Sequence, residues 1–146
     1  MDDLLPVLLV EDDPDDAELI TYAFKKTGIL HPLIVVDDGD RAIDYIRGES
    51  DFEDRVAYPL PCLVLLDLKL PRRSGFEVLE QIRAFDATRH TPIVVMTSSN
   101  QEADVSRAYA LGANSYLIKP IGRDKLTGMV TILDAFWLKL NRTAGA

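Results

Sequence analysis

Four short apolar runs recur along the chain: PVLLV (6–10), PLIVV (32–36), CLVLL (62–66) and PIVVM (92–96). None alternates apolar with polar residues. Each therefore reads as a strand covered on both faces, which is the pattern of a parallel sheet. A weaker fifth run, SYLI (115–118), follows. Parallel neighbours need long crossovers, and helical patterns fill the gaps. Asp13-Pro14 reads as N-cap and first residue of a helix ending at Thr27-Gly28, with Ala17, Ile20, Ala23 and Phe24 inward. A second helix is expected over about 39–47, and a third after Gly75 with Val78, Leu79, Ile82 and Phe85 inward. A fourth covers about 101–111 with Gly112 at its C-cap, and a fifth about 122–140.

The βαβαβαβαβα order predicts an α/β fold, a doubly wound (βα)5 sandwich with helices on both faces of a five-stranded parallel sheet. If the strand order is the flavodoxin-like 2-1-3-4-5, strands one and three are neighbours. The 146 residues suit one domain, 1–146, with 141–146 as a short tail. The connection 47–61, RGESDFEDRVAYPLP, is polar and reads as a surface loop. Net charge is −8, which argues against nonspecific binding to nucleic acid or to an anionic membrane. The one cysteine, Cys62, excludes an internal disulfide and reads as a small core residue. The first apolar run is too short for a signal peptide or membrane span, so a soluble cytoplasmic protein is expected.

Sheets of this kind bind ligands where the strands end, beside the switch in strand order. The first strand exits at Glu11-Asp12, the third at Asp67, the fourth at Thr97-Ser98-Ser99 and the fifth at Lys119-Pro120. With strands one and three adjacent, Glu11, Asp12 and Asp67 converge, and three carboxylates at one edge need a cation. Oxygen ligands without His or Cys suit Mg²⁺ before Ca²⁺, and not zinc. Lys119 is a point charge that can pair with Asp67 or with an incoming phosphoryl group. The set fits a phosphoryl acceptor, with Asp67 as nucleophile and Lys119 and Thr97 holding the transferred oxygens.

Four stretches, LLVEDDP, LVLLDLKLPRRSGFEVLEQIR, PIVVMTSSN and ALGANSYLIKPI, resemble the receiver domain of two-component response regulators over nearly the whole chain. That resemblance implies a phosphoryl group accepted from a histidine kinase on Asp67. It implies Mg²⁺, with Mn²⁺ able to substitute, held by Asp12, Asp67, Glu11 and the backbone carbonyl of Lys69. It also implies Lys119 on the phosphoryl group, Thr97 and Tyr116 as a switch pair, and a cis Lys119-Pro120 bond. Lys69 and Ser99 occupy positions that tune water access in the family. The polar loop before the third strand and the FWL tail resemble regulators paired with phytochrome-type kinases.

Plainer roles stand beside these. Asp13, Asp15 and Asp16 read as a cap and a first turn favoured by the helix dipole. Thr97 can also cap the next helix, and Tyr116 can simply pack. Arg72-Arg73 reads as a solvated loop near the site, and His31 and His90 are given no chemistry. An Mg²⁺-dependent phosphatase or phosphotransferase with an aspartyl nucleophile is the second reading. Such enzymes carry an acid two residues after the nucleophile, where this chain has Lys69. A pseudo-receiver that only binds partners is the third, against which the intact acid set speaks.

No output segment follows the fifth helix, so the signal is expected to pass through another protein, through oligomerisation or by onward phosphotransfer. In that helix Leu126, Val130, Leu133 and Trp137 make one apolar stripe. Met129, Ile132, Phe136 and Leu140 make a second, more than one sheet edge needs. The surplus predicts a homodimer through this helix and the tail FWLKLNRTAGA.

Overall fold

The five apolar runs become β1 (Val7–Val10), β2 (Leu33–Val36), β3 (Leu63–Leu66), β4 (Ile93–Thr97) and β5 (Ser115–Ile118), one parallel sheet in the order β2-β1-β3-β4-β5. The structure, a computed structural model, describes residues 4–144. Residues 1–3 and the last two of the tail 141–146 lie outside the described residues. β1, β3 and β4 are buried throughout, whereas β2 and β5 are partly open. Both lie at the edges of the sheet, where a strand has no second neighbour.

The helices are α1 (Pro14–Thr27), α2 (Gly39–Arg47), α3 (Gly75–Ala84), α4 (Glu102–Ala110) and α5 (Arg123–Leu133). Side chains alternate across the strands and feed two apolar layers. Val7, Leu9, Leu63, Leu65, Val94 and Met96 meet Ile20, Ala23 and Phe24 of α1 and Leu126, Val130 and Leu133 of α5. Leu8, Val10, Val64, Leu66, Ile93 and Val95 meet α2, α3 and Ala108 of α4. Capping fixes the helix starts. Asp13 accepts from the Asp15 N–H at 2.9 Å, Asp38 from Arg41 at 2.7 Å and Ser74 from Glu77 at 3.3 Å.

Two expectations need correction, and a third, the extent of the fifth helix to about Leu140, holds with a change of helix type. The Lys119-Pro120 bond is trans, as are all peptide bonds among the described residues. Trans is the isomer an X-Pro bond prefers intrinsically. The fifth helix is not uniform, because after Leu133 it widens into a π-helical segment, Asp134–Leu140, closed by the Asn141 N–H on the Phe136 carbonyl at 2.7 Å. Asp134 is buried there and pairs with Lys139 at 2.8 Å. The 47–61 connection is more than a surface loop. Phe52 is buried, Tyr58 packs on it edge-to-face, and Arg55 donates to the carbonyls of Tyr45 (2.7 Å), Ile46 (2.5 Å) and Tyr58 (3.2 Å). The guanidinium thus closes the C-terminus of α2, whose last carbonyls lack helical partners.

Candidate functional site

Strand register builds the site. Val10 pairs with both Val36 and Leu66, so the chain leaves β1 and β3 at the same level. The Glu11 N–H then bonds the Val36 carbonyl at 3.0 Å, and the Asp67 N–H bonds the Val10 carbonyl at 3.1 Å. As a result, carboxylate oxygens of Glu11, Asp12 and Asp67 all lie within 4.8 Å of one another. Glu11 and Asp67 are buried and Asp12 is exposed. Gly75 makes the Asp67 turn possible. A Cβ there would stand 2.2 Å from the Asp67 carbonyl oxygen, and the Gly75 N–H bonds the Leu68 carbonyl at 2.9 Å.

Asp67 has two distinct oxygens. Oδ1 accepts from the Leu68 N–H at 2.7 Å and more weakly from Lys69 at 3.5 Å. Oδ2 meets the Lys119 Nζ at 2.9 Å. Lys119 reaches across the end of β4, its N–H bonded to the Thr97 carbonyl at 2.8 Å. Its ammonium also contacts Glu11 and, at 2.9 Å, Asp16. Burial alone would lower the pKa of this amine. The bonds to Glu11, Asp16 and Asp67 outweigh that and raise it above the ordinary lysine value. Burial pushes the Glu11 carboxyl up to about 7; the Asp67 charge adds to the rise and the Lys119 bond opposes it.

Thr97 is fully buried, and its hydroxyl makes no hydrogen bond among the described residues. Burying a hydroxyl unpaired costs about 1–3 kcal/mol, so the group needs a partner beyond the surrounding protein atoms, whether a water or a bound oxygen. It does not cap α4, contrary to one expectation. The loop carries Ser99 instead, whose Oγ accepts from the Gln101 N–H at 3.3 Å and donates to Asp104 at 2.5 Å. The Ser99 carbonyl accepts the Tyr116 hydroxyl at 2.9 Å. The Tyr116 ring is half-buried against the apolar layer that holds α2, α3 and Ala108 of α4, and its hydroxyl is tied to the β4–α4 loop.

The other sequence candidates fall as follows. Asp13 caps α1, and Asp15 is exposed. Asp16 is not merely a first-turn acid, because it touches Lys119. No local pattern marks it, because the partner that gives it a role lies 103 positions away. The Lys69 side chain is exposed. Arg72 pairs with the largely covered Asp38 at 3.5 Å, and Arg73 pairs with Asp40 at 3.0 Å on the surface. Cys62 is only partly buried, at the opposite sheet end, with its Sγ 3.6 Å from His31 Nδ1. On α5 and the π-helical segment that continues it, Met129 is half-buried and Ile132, Phe136 and Leu140 are exposed, by 70%, 47% and 73%. They are remote in sequence from the acid cluster and are not brought into it.

The profile of the response regulator receiver domain matches residues 7–131. The chain belongs to that family. Among relatives of this receiver, the probable methanogenesis regulatory protein FilR2 of Methanothrix harundinacea is 40% identical over 139 residues, 95% of this chain and 87% of its own. Response regulator Rcp1 of Synechocystis sp. is 38% identical over 133 residues, 91% of this chain and 88% of its own. The solved Mn²⁺-bound form of Rcp1 superposes with a TM-score of 0.86 at 35% identity, covering 97% of this chain and 99% of that one. The phosphorylated cyanobacterial phytochrome response regulator RcpA superposes with a TM-score of 0.90 at 31% identity, covering 98% and 100%. The receiver fold and the role of a signalling regulator follow from this membership.

Proposed function

We propose that this receiver accepts a phosphoryl group on Asp67 from a phosphohistidine of a kinase and signals by a change of conformation. The observation that carries the reading is the Asp67 carboxylate. One oxygen is held by backbone N–H groups, the other by Lys119, with Glu11 and Asp12 alongside. In the transfer an Asp67 oxygen forms the new P–O bond as the P–N bond breaks, and the imidazole leaves with the electron pair.

The donor set is all oxygen and largely anionic, which fits Mg²⁺ or Mn²⁺. Glu11, Asp12, Asp67 and the Lys69 carbonyl would hold it. When bound, the ion supplies positive charge against the transferring oxygens. Lys119 neutralises the same group from the other side. The Thr97 hydroxyl, buried and unpartnered, suits an oxygen of the bound phosphoryl group. Tyr116 is the second half of the switch, holding or releasing the β4–α4 loop through the Ser99 carbonyl.

Output runs through protein contacts. Ile132 and Phe136 stand exposed in the wall of a groove of about 620 Å³ lined also by Leu117, Met129 and Trp137, and Leu140 stands exposed further along the same segment. A second copy laid on this face would take that apolar surface out of water, which supports a homodimer. The likeness to Rcp1 and RcpA supports a phytochrome-type kinase as donor. No helix among the described residues is long and apolar enough to cross a membrane. A cytoplasmic setting without nucleic-acid or membrane binding suits that and the charge of −8.

Incubation with Mg²⁺ and acetyl phosphate tests the reading. It predicts an acid-stable, base-labile phosphoryl adduct that is absent from Asp67→Asn and absent in a chelator. Steady turnover of phosphate esters without an adduct would instead favour the phosphatase.

A further inference from the structure

The Lys119 ammonium carries three N–H donors, and three carboxylates surround it: Glu11, Asp67 at 2.9 Å and Asp16 at 2.9 Å. Two of those acceptors change during the reaction proposed above. Asp67 gives up its charge when it becomes an acyl phosphate, and Glu11 belongs to the acid group that faces the cation. Asp16 does neither. It is held at the start of α1, where its own N–H lies 3.4 Å from the capping oxygen of Asp13. Its side chain is 35% exposed against 13% for Lys119, so water stabilises its charge more cheaply than a third fully buried acid would allow.

We propose that Asp16 is a positioning residue for phosphoryl transfer, anchoring Lys119 so that its other N–H groups stay aimed at Asp67 and at the oxygens Asp67 receives. This rests on Asp67 being the acceptor. A lysine stem is flexible, and once Asp67 has reacted the contact that held the ammonium there has changed character. Asp16 is the acceptor that keeps both its charge and its place. It is fixed by helix capping and not by the ligand, so it holds Lys119 equally before and after transfer.

Phosphorylation by acetyl phosphate in saturating Mn²⁺, followed on the full chain, tests this together with Mn²⁺ affinity. Asp16→Ala is expected to slow phosphorylation about tenfold while changing Mn²⁺ affinity less than about threefold. Asp16→Asn keeps an acceptor oxygen and recovers a large part of the rate. In a Lys119→Ala background, Asp16→Ala has no further effect, because the residue acts only through that amine. An unchanged rate in Asp16→Ala overturns the proposal. So does an equal loss with and without Lys119, or a fall in Mn²⁺ affinity that parallels the fall in rate, which marks general electrostatics. A wild-type protein that takes no phosphoryl group sinks the Asp67 reading itself and this one with it. A wild-type adduct with an unaffected Asp16→Ala sinks only the role of Asp16.

Discussion

The Lys119 ammonium lies 2.9 Å from Asp67 Oδ2, joining the exits of β5 and β3 across the end of β4. In the metal-free protein this one cation offsets the charge of Asp16 and Asp67, and that of Glu11 once pH rises above about 7. Removing it leaves acids facing one another in a largely desolvated site. Lys119→Ala should therefore destabilise the chelator-treated protein by about 3 kcal/mol. Millimolar Mg²⁺ should restore part of that by binding the folded state alone. Urea unfolding with and without Mg²⁺ measures both effects.

Glu11 gives the site a pH dependence. Burial holds its carboxyl protonated up to about 7 in the absence of metal. Below that pH a cation must displace the proton, and above it the carboxylate is already free. Mn²⁺ affinity should rise as pH climbs through about 7, with proton release at about pH 6 that is nearly gone at about pH 8. Calorimetry in buffers of different ionisation heat reads the proton directly. Glu11→Gln should flatten the profile.

Arg55 makes a contrasting case, because it stabilises without serving the site. Its guanidinium bonds the Tyr45, Ile46 and Tyr58 carbonyls. Charged hydrogen bonds of this kind contribute about 1.5–3 kcal/mol. Arg55→Ala should lower the unfolding free energy by about that amount and leave the phosphorylation rate per folded molecule unchanged.

The α5 face separates assembly from chemistry. Ile132→Asp with Phe136→Asp places charge on the exposed apolar line and leaves Leu126, Val130 and Leu133 in the core. Sedimentation equilibrium should show a dimer for the wild type and a monomer for the double variant, with Asp67 phosphorylation intact. A monomeric wild type at high concentration, with and without phosphorylation, would remove the dimer.

Much of this was legible in the chain. Unalternating apolar runs exposed the strands, because burial on both faces leaves no polar position. The exits of those strands then named Glu11, Asp12, Asp67, Thr97 and Lys119. What stayed hidden depends on tertiary direction. Asp16 looks like any first-turn acid until Lys119 arrives from a residue more than a hundred positions later. Arg55 looks like a loop charge until the chain folds it under α2. The π-helical widening at Asp134 leaves no clear periodic trace, since the apolar spacing of Leu133 and Trp137 fits an α-helix as well. The resemblance implies a cis Lys119-Pro120 bond, whereas the bond is trans.

The most direct measurement locates the transferred group. Borohydride reduction of the acetyl-phosphate-treated protein converts an aspartyl phosphate to homoserine, which tandem mass spectrometry of peptides assigns to a residue. The account predicts homoserine at position 67 and nowhere else, dependent on Mg²⁺. Homoserine at Asp12 or another acid, or none in a protein that binds Mn²⁺ normally, would contradict it.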